Sequence, residues 1–412
     1  MAIFINEINI TKLRHLENIN LEISDGKVKK NLILTGKNGS GKTTVLEHIK
    51  IYLKSIEDSM LNNIMNEYPR QVEMLGEELN SINNMMPIDN QRKERLVNAI
   101  DTYRNNIGKY SKVLTVKFNN TDMIETKYKK GDFILAYFNA KRNSKVFVPT
   151  SVNKVELQKS YSMDADVDEK FLDYLVYLKT QQSFARNEDD METVKSIGNW
   201  FDNLEKSLKN LFEDYSIKLK FDYKNLNFKI KQKGREDFGL NELSDGFSAV
   251  LDILMNLILR MEKNREGLSY DKEGIVLIDE VETHLHIGLQ KKILPFLTSF
   301  FPNIQFIVTT HSPFVISSIE DAVVYDLEKR IKLEDLSSYS YEGIVEGYFN
   351  VDKYSTEAKE KLYRYKELLK KTNKSEEEES EEFELRNYLK GIPETLASEI
   401  VYEFKNIELA ST

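Results

Sequence analysis

No cysteine occurs among the 412 residues, which excludes a disulfide framework, a thiolate zinc site and a thiol nucleophile. Histidine occurs five times, too sparsely for an HNH-type catalytic cluster. No apolar run reaches the roughly 18 residues that a membrane helix needs. The N-terminus alternates apolar and polar residues, without the basic start and solid apolar stretch of a signal peptide. With the lack of cysteine, this points to a cytoplasmic protein and no membrane partner. Positive charge is in deficit, 58 Lys and Arg against 67 Asp and Glu, for a net charge of −9. The surface as a whole is therefore no nucleic-acid magnet, although a local basic patch remains open. Hydrophobic residues make up 41% and charged residues 30%, the balance of a globular chain rather than a disordered one. The length suits two or three packing units.

Alternation at Ile3, Ile5, Ile8 and Ile10, then at Ile19, Leu21 and Ile23, predicts two opening strands. Leu32-Ile33-Leu34 is an unbroken apolar run that suits a central buried strand. It leads into a glycine-rich loop and a helix from Thr43 to about Leu53. From Ile56 to Tyr110 apolar residues step by three or four, which predicts a helical hairpin over 54–112, with a restart at Pro69 and a turn at Pro87-Ile88-Asp89-Asn90. An insertion with its own role and two plain core helices fit this pattern equally. Strands are expected at Val113–Phe118, Met123–Tyr128 and Phe133–Phe138. A helical subdomain is expected over about 158–213, then a β-hairpin at Ile217–Phe221 and Leu226–Ile230. A long helix from Phe247 to about Met261 and strands at Ile275–Ile278 and Ile304–Val308 follow. Beyond about residue 320 the chain reads as polar and helical. The acidic run at 376–382 reads as a solvated linker.

Three segments carry chemistry. Gly36-Lys37-Asn38-Gly39-Ser40-Gly41-Lys42-Thr43 matches GxxxxGK[ST] between an expected strand and an expected helix. Backbone N–H groups of such a loop turn inward on phosphate, and the helix N-terminus adds partial positive charge. Asn38, Gly39, Ser40, Gly41, Lys42, Thr43 and Thr44 are the candidate phosphate-binding residues. Lys42 would neutralise the β- and γ-phosphates of ATP, and the Thr43 hydroxyl would bind Mg2+. Gly274–Glu280 is an apolar strand ending in two carboxylates. Asp279 is the expected Mg2+ ligand, and Glu280 the group that orients or deprotonates the attacking water. Ile307–Pro313 is a second such strand, and His311 at its end would reach the γ-phosphate or the water. The pair His284 and His286 is a weak zinc signal without a third ligand, and a role at a subunit interface fits it better.

Leu243-Ser244-Asp245-Gly246-Phe247 stands before the long helix and 36 residues ahead of Asp279. With this LSxG pattern, the order phosphate loop, LSDGF, IVLIDE, THSP resembles the ABC-type ATPases over about residues 1–320. The resemblance implies an α/β fold of that P-loop class, with a mixed sheet, an antiparallel β subdomain, the inserted helical hairpin and a C-terminal helical region over 321–412. It also implies that Ser244, the Gly246 backbone and the helix dipole form a second anion site, which closes over the nucleotide of another protomer. Within the superfamily, IDEVETHLH and TTHSPFVI resemble the soluble branch. That branch holds chromosome-structuring and repair ATPases, overcoming-lysogenisation-defect nucleases, and anti-phage defence ATPases such as the Septu ATPase subunit. TKLRHLENINLEI is similar to their opening strand, and Arg14 is the candidate for its nucleotide-touching basic residue. No glutamine marks the loop that usually senses Mg2+; the equivalent region is Ala136–Arg142. Ile344-Val345-Glu346-Gly347 with Asp352 is faintly similar to the start of a Toprim nuclease domain, but no later strand ends in an Asp-x-Asp pair.

The resemblance implies an ATP-hydrolysing subunit of a prokaryotic defence complex. It would form a homodimer or higher homo-oligomer and work with a separate effector nuclease, such as an HNH protein. DNA or RNA stands as a further partner. The alternative is a DNA repair or recombination ATPase that binds DNA directly. A transporter's nucleotide-binding subunit is disfavoured by the 54–112 insertion and the ETHLH turn. The helix expected at Thr356–Lys371 would pack on the core or face a partner.

Overall fold

The computed structural model describes residues 2–83, 90–142, 147–262, 271–334, 336–339, 343–344, 356–371, 373–393 and 397–410. The turn expected at Pro87-Ile88-Asp89-Asn90 and the segment Val345-Glu346-Gly347 with Asp352 lie outside these, apart from Asn90. The chain divides into two units, Met1–Ser338 and Tyr339–Thr412.

Among the described residues the first unit has twelve strands: β1 Ile5–Leu13, β2 Leu16–Glu22, β3 Asn31–Thr35, β4 Leu114–Phe118, β5 Phe133–Phe138, β6 Lys218–Asp222, β7 Asn227–Lys231, β8 Phe238–Gly239, β9 Glu273–Ile278, β10 Ile304–Thr309, β11 Ala322–Asp326 and β12 Ile331–Glu334. The central sheet has the order β12-β11-β3-β10-β9-β5. Five of its strands are parallel, and β12 closes one edge antiparallel to β11. Every residue of β3, β10 and β11 is buried, as in parallel strands covered on both faces. The last two strands correct the boundary expected at 320. Val323 and Val324 pair with Leu32 and Ile33, so the sheet is finished by residues that read as the start of a polar helical tail.

An antiparallel sheet, β2-β1-β4, lies over this core. Ile5, Ile8 and Ile10 are all buried although their spacing breaks strict alternation. A register shift between Ile5 and Glu7 against β4 absorbs the extra residue. Gln305 of β10, fully buried, ties the two sheets together. Its side-chain oxygen accepts from the Ile5 amide at 2.7 Å, and its nitrogen donates to the Ile5 and Lys30 carbonyls at 3.0 and 2.8 Å.

The first helix, Lys42–Glu57, runs one turn past its expected end. Helices Tyr68–Asn83 and Asn90–Ser111 pair as the expected hairpin. The restart near Pro69 is a π-helical turn at Asn63–Glu67. The strand expected at Met123–Tyr128 is instead a helix, Ile124–Lys130, ended by Gly131 in the left-handed region. Only Ile124 and Tyr128 of that segment are buried, a spacing of four rather than two. Helices Phe171–Asn187 and Met191–Phe212 make up the expected helical subdomain. Arg260, on the long helix Asp245–Glu262, is buried and donates to the carbonyls of Leu135, Ser162 and Ala165 at 3.0, 2.9 and 2.7 Å. That clamps the connection after β5 against the sheet, and burial lowers the guanidinium pKa to about 10.

The second unit has helices Thr356–Lys370, Glu376–Lys390 and Ser398–Ala410 around Leu362, Tyr365, Leu368, Leu389, Ile400 and Phe404. The run at 376–382 is therefore no linker. Ser375 caps the second helix in a reciprocal capping box with Glu378, and Glu376–Glu379 fill its first turn. Carboxylates there face the positive end of the helix dipole. Arg364 pairs with Glu381, and Lys374 with Glu382.

Candidate functional site

The carboxyl ends of β3, β9, β10 and β5 meet at one edge of the parallel sheet, where open α/β sheets place ligands. The loop after β3 turns at Gly36, Gly39 and Gly41, with φ of 131°, 82° and 96°. A side chain at Gly36 would come within 2.8 Å of Ser40 Oγ, so here both conformation and space demand glycine. Lys42 is buried, and its ammonium donates to the carbonyls of Gly36 and Lys37 at 2.9 and 3.0 Å. Burial lowers its pKa, while Glu280, Glu282, Asp279 and Asp326 act the other way.

Asp279 and Glu280 follow β9. Asp279 Oδ1 accepts from the Thr43 hydroxyl at 3.1 Å and the Thr309 hydroxyl at 2.6 Å. The Thr309 oxygen also accepts from the Glu280 amide at 2.7 Å. One β10 hydroxyl thus registers both acidic residues against the first helix. Glu280 has a φ of 44°, a conformation that a side-chain-bearing residue keeps only when its surroundings enforce it. Besides Thr309, two donors hold the Glu280 carbonyl, Arg142 Nη2 at 2.6 Å and the Thr283 amide at 2.9 Å. Arg142 is 8% exposed, and its Nε has no hydrogen-bond partner. Desolvation lowers its pKa, while Asp252, Glu282, Asp279 and Glu280 act against that shift. His311 is half-buried, and its backbone amide donates to Glu282. Burial first, then the Lys42 charge, push the imidazole below the usual histidine pKa.

The remaining expected residues lie on the phosphate loop, the β1–β2 turn and the start of the long helix. Asn38, Gly39, Ser40 and Thr44 lie on the phosphate loop and the helix it opens. Arg14, exposed with a φ of 55°, sits in the β1–β2 turn. That turn abuts the phosphate loop, since a methyl group on Gly41 would come within 3.1 Å of Leu16 and 3.7 Å of His15. Ser244 precedes helix Asp245–Glu262, and the Ser248 amide donates to its carbonyl at 2.9 Å. A methyl group at Gly246 would stand 2.8 Å from the His284 carbonyl, so the signature turn packs directly on the turn that follows Glu280. Phe247 stacks on Phe212 with ring centroids 4.0 Å apart, and His286 meets it edge-on at 6.0 Å. The two histidines therefore belong to this packing. Among the described residues no group of three or more His, Cys, Asp or Glu could hold a metal by itself.

Thr309 and Arg142 are the two site residues that sequence reasoning did not single out. Thr309 stood inside the quoted THSP-type strand end. Arg142 closes the segment left without an assigned sensor. The oxygens around Asp279 are hard donors of the kind that suit Mg2+, which keeps waters and phosphate oxygens as its other ligands.

A phosphate loop opening a helix, a strand-end carboxylate pair and a signature turn on the same framework define a P-loop nucleotide-binding protein of the ABC type. The family described as "AAA domain, putative AbiEii toxin, Type IV TA system" matches residues 94–317, and the ABC transporter family matches residues 16–128. The chain belongs to the first of these families. It is 25% identical over 391 residues to the Septu protein PtuA of Bacillus mycoides (strain KBAB4), covering 92% of this chain and 49% of that protein. It is 23% identical over 372 residues to the Retron Vc95 probable ATPase of Vibrio cholerae serotype O1 biovar El Tor, covering 74% and 71%. The chain thus spans about half the length of the PtuA relative. The Smc head bound to the C-winged helix domain of ScpA aligns at 12% identity over 82% of this chain and 100% of that one, with a TM-score of 0.40.

Proposed function

We propose that the chain is the ATP-hydrolysing subunit of a prokaryotic anti-phage defence complex, working as a nucleotide-sandwiched dimer or higher oligomer that controls a separate effector nuclease. The observation that carries the hydrolytic reading is the hydrogen-bond chain from Thr43 through Asp279 and Thr309 to Glu280. It links the oxygens of Thr43 and Asp279 to the backbone of Glu280 beside the phosphate loop, which supports a metal and a base acting side by side. In this reading Lys42 leaves the Gly36 and Lys37 carbonyls for the phosphates. Mg2+ held by Thr43 and Asp279 would neutralise charge developing on the β–γ bridge. Glu280 takes a proton from the attacking water as its oxygen bonds to the γ-phosphorus, the bond to the bridging oxygen breaks, and ADP and phosphate leave. Neutral His311 would hydrogen-bond the γ-phosphate. Arg14 would touch the nucleotide from the β1–β2 turn.

The sandwich reading rests on the signature turn. The Gly246 backbone packs closely on the His284 carbonyl, which supports an anion site at Ser244 coupled to the turn after Glu280. The defence role rests on the Septu and retron relatives. Sedimentation of Glu280→Gln protein with MgATP tests the proposal. Loss of hydrolysis by about 10²–10⁴-fold with ATP-dependent dimers that persist is expected, and Ser244→Arg should abolish those dimers while each protomer still binds ATP. Wild-type turnover by either variant would overturn it.

A further inference from the structure

The hairpin β6–β7 carries a charge pattern that the nucleotide site does not use. The two strands and their turn, residues 218–231, contain five Lys and one Asp, a net +4 (5 − 1) in a chain of net −9. The pairing register sets Lys218 opposite Lys231 and Lys220 opposite Lys229. Directly opposed residues share a face, so four ammonium groups form two cross-strand rungs. The alternate residues Phe228 and Ile230 are fully buried, and Phe228 stacks on Phe201 at 5.5 Å. The lysine face is thus the outer one by geometry. Lys229 has Asp222 at 3.6 Å, and Lys231 has Asp237 at 3.5 Å, a partial neutralisation that leaves the face cationic. Like charges directly opposed destabilise a sheet pair, and a polyanion laid across them offsets that cost. Two exposed tyrosines flank the rungs, Tyr215 at 81% and Tyr223 at 71% exposure. Lysines that track a backbone beside aromatic rings that accept bases are the surface chemistry of nucleic-acid binding. An acidic protein or a lipid headgroup would use the charges and leave the rings without a role.

We infer that the outer face of the β6–β7 hairpin binds the phosphate backbone of nucleic acid, with Tyr215 and Tyr223 as stacking platforms for unpaired bases. The contact is sequence-independent and stands apart from the ATP site. If all four lysines contact phosphates of a duplex, the salt slope is about 0.9 × 4 = 3.6. Affinity then falls roughly 150-fold (4 raised to 3.6) between 50 and 200 mM salt.

The test is fluorescence anisotropy on the full chain with a labelled 30-mer, single-stranded and as duplex, at several salt concentrations. A variant with Lys218→Gln, Lys220→Gln, Lys229→Gln and Lys231→Gln should bind at least tenfold more weakly at 50 mM and lose most of the salt slope. The same four positions changed to Arg should bind as the wild type does. ATP hydrolysis and thermal unfolding show that both variants are folded. Tyr215→Ala with Tyr223→Ala should weaken single-strand binding and spare the duplex. Unchanged affinity and slope in a folded Gln variant would overturn the inference, as would a wild type that binds phosphatidylserine vesicles and neither oligonucleotide.

Discussion

Replacing Arg142 by Met should slow ATP hydrolysis far more than it weakens ATP binding. The guanidinium donates at 2.6 Å to the carbonyl of Glu280 and helps hold that residue at a φ of 44°. A charge-assisted hydrogen bond of this kind contributes about 2 kcal/mol. If its loss lets Glu280 relax out of the left-handed region, the whole amount appears in the barrier, a fall in kcat of roughly 30-fold at 1.4 kcal/mol per decade. Lys42 and the loop amides remain, so KM should move by less than about threefold. Removing the buried cation from among Asp252, Glu282, Asp279 and Glu280 should also lower the melting temperature. The assay is steady-state phosphate release beside titration with a fluorescent ATP analogue, on Arg142→Met and Arg142→Lys. Lysine keeps the charge but not the forked geometry, and should recover part of kcat. A folded Arg142→Met protein with kcat within twofold of wild type would show that Thr309 and the turn alone aim the carboxylate.

Three further outcomes are expected. Lys42→Ala should weaken MgATP binding at least tenfold in an equilibrium titration, since it removes the buried ammonium facing the loop carbonyls. Gly246→Ala forces a methyl group to 2.8 Å from a backbone carbonyl; this should cost about 1–3 kcal/mol in thermal unfolding, and an unchanged melting curve would refute the packing. His311 has a folded pKa below its ordinary value near 6.5. Its stability contribution is therefore complete above about pH 6.5 and is lost as pH falls through the folded value. Melting temperatures of wild type and His311→Gln should converge toward pH 5, and parallel curves would sink this assignment.

Much of the site was legible because its chemistry forces local sequence. Glycines at left-handed positions before Lys42, and apolar strands ending in Asp279-Glu280 and Thr309-Thr310-His311, can be read without coordinates. The helix at Ile124–Lys130 was misread because its polar residues mimic alternation, and only the buried pair Ile124 and Tyr128 reveals a spacing of four. β11 and β12 were missed because Ala322–Asp326 is one short apolar run beside a polar stretch, and its role depends on pairing with β3 nearly 300 residues away. The acidic run was taken for a linker on composition, whereas Ser375 and the helix dipole make four consecutive glutamates favourable. Arg142 escaped because nothing in NAKR announces a distant carbonyl acceptor.

Gln305 and His311 sit near opposite ends of one strand's path. At one end, a buried amide fixes the height of the β1–β2 sheet, whose turn brings His15 and Leu16 against the phosphate loop. At the other, Thr309 bonds both Asp279 and Glu280, and the His311 amide donates to Glu282. β10 is thus a common ruler for the sheet that carries the β1–β2 turn and for the acidic pair after β9. A small axial slip of that single strand would put both out of adjustment together.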